Sequence, residues 1–409
     1  MKTKKPELLA PAGSFEKLKA AIRYGADAVY VGGTDFGLRA ASKNFSDTEL
    51  KEAIDYCHER QKKLYVTVNI IARNYDIDRL PAYLSLLNEI KPDALIIADI
   101  GVMELAKKFA PDVPIHISTQ ANATNYLSVS RYHALGASRV ILARELSLSE
   151  IKTIREKCPP ELELEAFVHG AMCISYSGRC HLSNYMAARD GNHGECAQPC
   201  RWKYFLMEEK RPGEYFEVFE DEGGAFILNS KDLNMIEHIP ELVEAGISSF
   251  KIEGRVKTEY YVATVTNAYR QAIDAYCENP EGYVFDENLL AEVCKVSHRA
   301  YHTGFFFGHP KESGQVYESS SYIREYEVAA VVEEDSPGGA LVKCTQRNRF
   351  IKGDRLEILT PGRTGDDFVV SEMYDGDGAA IESAPHPTME LRLRIPFGVK
   401  AGDMLRRRK

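Results

Sequence analysis

Eight short apolar runs, rich in β-branched residues, recur over roughly the first 250 residues, with amphipathic stretches between most of them. They are ELLAPAG from Glu7, AVYVGG from Ala28, KLYVTVNII from Lys63, ALIIAD from Ala94, PIHISTQA from Pro114, SRVILAREL from Ser138, LELEAFVHG from Leu162 and SFKIEG from Ser249. Such runs read as buried strands. The segments SFEKLKAAIRYG, SDTELKEAIDYCHERQ and DRLPAYLSLLNEI carry a helical period instead. Ser14 and Ser46 are the expected N-caps, and Gly25 and Gly136 stand where helices should stop. Strand–helix alternation implies a parallel sheet with helical crossovers, and eight units match a (β/α)8, TIM-barrel-like fold. The alternative is an open doubly wound sheet, but no GxGxxG or phosphate-binding loop follows any strand.

The barrel is interrupted. Residues 171–224 carry a cysteine-rich stretch and then WKYFLMEEKRPGEYFEVFEDEGG, which reads as a hairpin. After Gly254, TEYYVATVTNAYRQAIDAYCE is expected to close the barrel as a long helix. From about Tyr322 the pattern changes to short strands and Gly turns: EYEVAAVVEE, GALVKCTQ, GDRLEILTPG, ELRLRIPF and GDMLRRR. The expectation is an α/β catalytic domain over 1–320 with its insertion at 171–224, followed by a small all-β barrel domain over 321–409.

Four of the nine cysteines, Cys173, Cys180, Cys196 and Cys200, fall in a 28-residue window; the others lie singly in helix-like or strand-like runs. The start, MKTKKPELLAPAG, lacks the apolar stretch and cleavage site of a signal peptide, and no apolar run would span a bilayer. A cytoplasmic protein with no membrane partner is therefore expected. In a reducing compartment, clustered thiols mean metal or redox chemistry rather than structural disulfides. Soft thiolates select zinc or an iron–sulfur cluster. The gaps of six, fifteen and three residues wrap a loop around something bulkier than the tight pairs of structural zinc usually hold, but spacing alone leaves both open.

In a (β/α)8 barrel, polar residues at the C-terminal strand ends line the active site. Here they include Asn69, Asp99, Gln120, Glu145, His169 and Glu253 as candidate catalytic groups, with Ser118 and Thr119 beside them. Arg39, Arg144, Lys251 and Arg255 are candidate substrate-binding cations, because guanidinium forks grip carboxylate or phosphate oxygens in pairs. The alternative is that these residues pair with one another and brace the rim. The net charge of −9 argues against indiscriminate nucleic-acid binding. Two local basic patches remain: the tail Arg406–Lys409, and Arg347, Arg349, Lys352 and Arg355. No HExxH or GxSxG signature occurs.

EAFVHGAMCISYSGRCHLS, from Glu165 to Ser183, resembles the signature of the collagenase-like peptidases of unassigned mechanism. LLAPAG, GECAQPCRWKY, NSKDL at 229–233 and FKIEGR at 250–255 resemble it too, so the likeness spans essentially the whole chain. The family label implies a peptidase, a hydrolase. The same superfamily also includes oxygen-independent hydroxylases with cysteine-ligated 4Fe–4S clusters, and this chain looks most like those that make 5-hydroxyuridine at the tRNA wobble position. That resemblance implies prephenate, a dicarboxylate, as hydroxyl source, tRNA as partner, and a paired homologous subunit in some relatives; by fold-level analogy with other small β-barrels, the C-terminal barrel and basic tail are expected to hold the tRNA. It makes Cys173, Cys180 and Cys196 metal ligands. Many relatives carry the fourth cysteine directly after SKDL, where this chain has Asn234; Cys200 is the expected substitute, and the alternative is a cluster with three thiolates and an open iron. A zinc-stabilised RNA-binding protein without activity is the remaining alternative.

Overall fold

The computed structural model describes residues 5–38, 44–173, 175–177, 179–202, 206–207, 215–216, 230–310 and 322–409. Six strand–helix units open the chain. The strands are β1 (Glu7–Pro11), β2 (Ala28–Gly32), β3 (Lys63–Val68), β4 (Ala94–Ile97), β5 (Ile115–Ile117) and β6 (Ala137–Ile141). The helices that follow them are α1 (Phe15–Arg23), α2 (Asp47–His58), α3 (Asn74–Ile90), α4 (Ile100–Phe109), α5 (Tyr126–Ala134) and α6 (Leu148–Lys157). β7 (Glu163–Ala171) leads into the insertion, with α7 (Leu182–Ala187) and the paired two-residue strands β8 (Leu206–Met207) and β9 (Tyr215–Phe216). β10 (Asp232–Asn234), α8 (Ile239–Glu244), β11 (Ser249–Ile252) and α9 (Glu259–Glu278) follow. Each of β1–β6 pairs in parallel with the next, and β11 pairs in parallel with both β7 and β1, closing the eight-stranded barrel. β10 runs antiparallel to the end of β7, outside the closed ring.

The local signals operate as their chemistry requires. Ser14 Oγ accepts from Lys17 N, and Ser46 forms a reciprocal capping box with Glu49. Gly25 (φ +102°) and Gly136 (φ +103°) take the left-handed turn that ends α1 and α5. The barrel interior is not purely apolar. Buried Arg139 donates to Glu7 (2.6 Å) and Glu165 (2.9 Å), and Lys251 donates to the other oxygen of Glu165 (2.7 Å). Four strands thus meet in one ionic layer, and Lys251 is held by it from below.

α10 (Glu287–Val293) and β12 (Tyr301–His302) lead toward the second domain. This comprises β13 (Tyr326–Val332), β14 (Leu341–Gln346), β15 (Phe350–Ile351), β16 (Arg355–Leu359), β17 (Asp367–Val369), β18 (Met373–Asp375), β19 (Ser383–Ala384), β20 (Glu390–Arg394) and β21 (Met404–Arg408). Seven of these strands form one antiparallel sheet, ordered β17-β16-β21-β13-β14-β20-β18, around a core of its own. The sequence suggested a barrel; among the described residues the edges β17 and β18 do not pair, so the sheet is a half-barrel. It docks on α1 and α9 through Tyr24, Ala263, Leu359 and Met404, and Tyr24 Oη donates to the Leu359 carbonyl (2.9 Å). No helix among the described residues is long and apolar enough to cross a membrane.

The basic tail is β21, an interior strand of this sheet, rather than an exposed cationic arm. Arg406 is fully buried and ion-paired with Glu292 and Glu357. Arg407 pairs with Glu327 and Asp354, and Arg408 with Glu325. In the second patch, Lys352 pairs with Glu382 and Arg355 with Asp367. The tail is thus largely neutralised by adjacent carboxylates, and so are two of the four cations of the second patch.

Candidate active site at the barrel mouth

One cavity lies at the C-terminal end of the barrel strands, roofed by the insertion. Its wall includes Asn69, Gln120, Arg144, Lys251, Glu253 and Arg255 from the barrel. The roof contributes all four clustered cysteines, Cys173, Cys180, Cys196 and Cys200. Cys173 and Cys196 are exposed and Cys180 and Cys200 half-buried, whereas Cys57, Cys158 and Cys344 are buried in packed core.

Each cation is held by a different partner set. Arg144 donates from Nη1 to the Ala171 carbonyl (2.7 Å) and from Nη2 to Glu253 (3.2 Å), with its guanidinium 3.8 Å from the Phe167 ring centre. Arg255 donates to Thr67 Oγ1 (3.1 Å) and Asn44 Oδ1 (2.6 Å). It crosses directly over Gly32, where a Cβ would stand 2.3 Å from Nη2, so only glycine leaves room for it. Burial pushes the Lys251 ammonium below the ordinary lysine range, and the charge of Glu165 opposes that shift. Asn69 donates to Ser118 Oγ (3.3 Å), which also accepts from Gln120 N (3.2 Å). Gln120 Oε1, Arg144 Nε and Ser175 Oγ are buried on this wall without a hydrogen-bond partner among the described residues. Orphaned polar atoms facing one cavity are the mark of a polar ligand site.

The roof is tied down at several points. Asn122 donates to the Ser177 carbonyl (3.0 Å), and Ser183 Oγ accepts from Ala197 N (3.0 Å), joining the first and second cysteine pairs. Arg73 pairs with Asp190 (2.7 Å) and His193 with Asp76 (3.1 Å), fastening the insertion to the start of α3. Leu182 N points at Cys180 Sγ (3.4 Å), a backbone donor suited to a thiolate. Among the described residues no three Cys, His, Asp or Glu side chains gather on a single point. The four thiols therefore line one cavity wall without converging on a single point among the described residues.

Three residues expected here are placed elsewhere. Asp99 caps α4, accepting from Val102 N (3.0 Å), and does not line the cavity. Glu145 lies beyond the lining, where burial raises its carboxyl pKa. His169 is fully buried among Tyr261, Tyr269 and Tyr301, and desolvation lowers its pKa to about 3, leaving a neutral packed imidazole. Arg39 lies outside the described residues. Asn234 is also off the cavity, its Oδ1 accepting from Tyr269 Oη and Ile236 N. Sequence reasoning missed the ionic layer of Glu7, Arg139 and Glu165 beneath Lys251; its signal was charge recurring at alternate positions in the otherwise apolar LELEAF.

Comparison with known proteins places these features in a family context. Residues 13–315 match the model described as Peptidase family U32, and residues 324–406 match Peptidase family U32 C-terminal domain. The tRNA hydroxylation protein P1 of Bacillus subtilis is 40% identical over 407 residues, covering 100% of this chain and 96% of the relative. The tRNA hydroxylation protein P of Escherichia coli is 38% identical over 431 residues, covering 96% and 94%. A protein of Porphyromonas gingivalis named Collagenase is 34% identical over 316 residues, covering 74% and 73%.

Proposed function

The chain belongs to peptidase family U32, and from that premise we propose that it hydroxylates a tRNA, forming 5-hydroxyuridine at the wobble uridine without molecular oxygen. Full-length similarity to proteins named for tRNA hydroxylation supports this reading. The observation that carries it is the meeting of four thiols and three cations on one cavity. Cys173, Cys180, Cys196 and Cys200 would hold a 4Fe–4S cluster. When bound, the cluster would supply one-electron redox chemistry or a Lewis-acidic iron to the hydroxylation, with the hydroxyl group coming from the co-substrate.

The protein's own residues bind and orient. Arg144 and Arg255 offer guanidinium edges, and Lys251 a point charge, to the carboxylates of the hydroxyl source, for which prephenate is the candidate. Fixed partners pre-organise all three, so little reorganisation accompanies binding. Gln120 Oε1 and Ser175 Oγ, which have no hydrogen-bond partner among the described residues, would accept and donate at the edge of a base.

A peptidase is the second reading, favoured by the family label and the relative named Collagenase. Hydrolysis needs a nucleophile and base rather than a thiolate set, and no histidine lines the cavity among the described residues. Anaerobic purification decides between them. Brown protein with about four irons and four sulfides per chain, together with loss of 5-hydroxyuridine from tRNA in a deletion strain, is expected. A colourless zinc protein that leaves tRNA nucleosides unchanged would overturn the proposal.

A further inference from the structure

A second concavity begins at the edge of the first. Glu253, whose carboxylate holds Arg144, lies on the wall of both. The second is an open cleft of about 490 Å³ between the barrel rim and the half-barrel domain. Lys257, Thr258 and Tyr260 line it at the start of α9; Tyr322, Arg324, Tyr326 and Lys409 line it from the other side.

Lys257 Nζ donates to the Ser297 carbonyl (3.1 Å), and Arg324 Nε to Ser297 Oγ (3.1 Å). Lys409 comes only within 4.0 Å of its carboxylate, Glu327. The Tyr322 ring is flanked by Lys257 Nζ at 4.4 Å and the Arg324 guanidinium at 5.7 Å. The first turn of the twenty-residue α9 forms part of the wall and adds the positive end of its dipole. In a chain of net charge −9, this is a local excess of cations interleaved with aromatic rings. A groove of cations beside stacking rings is the surface that takes single-stranded nucleic acid: the cations track phosphates and the rings accept bases.

We propose that this cleft holds the phosphodiester backbone of the RNA strand whose target base enters the barrel mouth. The proposal rests on the tRNA reading above and adds to it the path of the strand. Continuity through Glu253 places a backbone in the cleft next to a base in the cavity.

The test is fluorescence anisotropy of full-length, anaerobically purified protein with a labelled, unmodified tRNA transcript over a series of KCl concentrations. The double variant Lys257→Glu/Arg324→Glu should bind at least about tenfold more weakly, with a salt slope shallower by about two, one for each lost phosphate contact. Lys257→Arg should restore binding. Lys352→Glu/Arg355→Glu, on the outer face of the half-barrel, should bind like wild type within roughly twofold. Unchanged iron content and melting temperature keep the comparison valid. Should the double variant misfold, Lys409→Glu at the exposed chain end decides, with a loss of roughly threefold expected. If wild type binds tRNA and the cleft variants bind equally well, the proposed path is overturned while the tRNA reading stands. If wild type binds no tRNA at any salt, the tRNA reading falls, and the cleft assignment falls with it.

Discussion

The barrel mouth and the C-terminal strand β21 are both rich in basic side chains, yet the fold uses them in opposite ways. At the mouth, Arg144 shares one carboxylate with a backbone carbonyl, and Arg255 is held by a hydroxyl and an amide. In β21, Arg406 lies between two carboxylates in full burial, Arg407 meets two more, and Arg408 another. Charge count does not distinguish the two regions. What distinguishes Arg406 is full burial between two carboxylates, which spends its positive potential inside the protein, whereas Arg144 meets one carboxylate and lines the cavity.

The largest test of this contrast concerns the roof that makes the mouth a site. Cys200→Ser should strip the iron and the visible absorbance as completely as Cys196→Ser does, while Asn234→Ala, off the cavity, should retain both. Iron retained in Cys200→Ser would remove Cys200 from the ligand set. Next comes the buried end of the contrast. Arg406→Ala leaves Glu292 and Glu357 facing each other without their guanidinium and should cost about 3–5 kcal/mol of stability, read by urea denaturation. At the mouth the penalty should fall on function instead. Arg144→Lys loses the bidentate edge and should raise the KM for the hydroxyl source roughly 10- to 100-fold, or about 1.4–2.7 kcal/mol, with little change in melting temperature.

His169 sharpens the comparison from a third side, as a titratable group that is packed and presented to no ligand. Burial holds its pKa at about 3, below that of an unfolded histidine. Between pH 6.5 and 3 the unfolded chain therefore binds a proton that the folded chain does not, and stability falls as pH drops through that window. The loss amounts to at most about 1.4 kcal/mol per pH unit. His169→Gln should flatten that slope in pH-dependent denaturation; an unchanged slope would show that other groups set it. The smallest effect belongs to Arg408, half of an exposed pair, where Arg408→Ala should change stability by no more than about 0.5 kcal/mol.

Much of the architecture was legible. All eight strand runs become barrel strands, and Ser14, Ser46, Gly25 and Gly136 act as caps and stops, because these signals are local: a side chain and a backbone group a few residues apart. Eight of the residues expected at strand ends do line the mouth, since alternation and strand direction dictate which positions face it. The misplacements have separate causes. Asp99 follows a strand, but it also precedes a helix, and capping claims its carboxylate. His169 ends a strand segment that β10 then covers, an antiparallel addition that no periodicity announces.

The amino-acid sequence by itself determined the alternation of strand and helix, the place of the insertion, the change to short strands near residue 322, and the four thiols in one window. Only the tertiary structure decided that Cys200 shares a cavity with the other three thiols while Asn234 does not, and that the Arg-rich tail is an ion-paired interior strand. The reason is range. Helix periods and caps arise between near neighbours, whereas the environment of a charge is set by partners far apart in the chain, such as Arg139 with Glu7 or Arg406 with Glu292, that meet only when the barrel closes and the second domain docks.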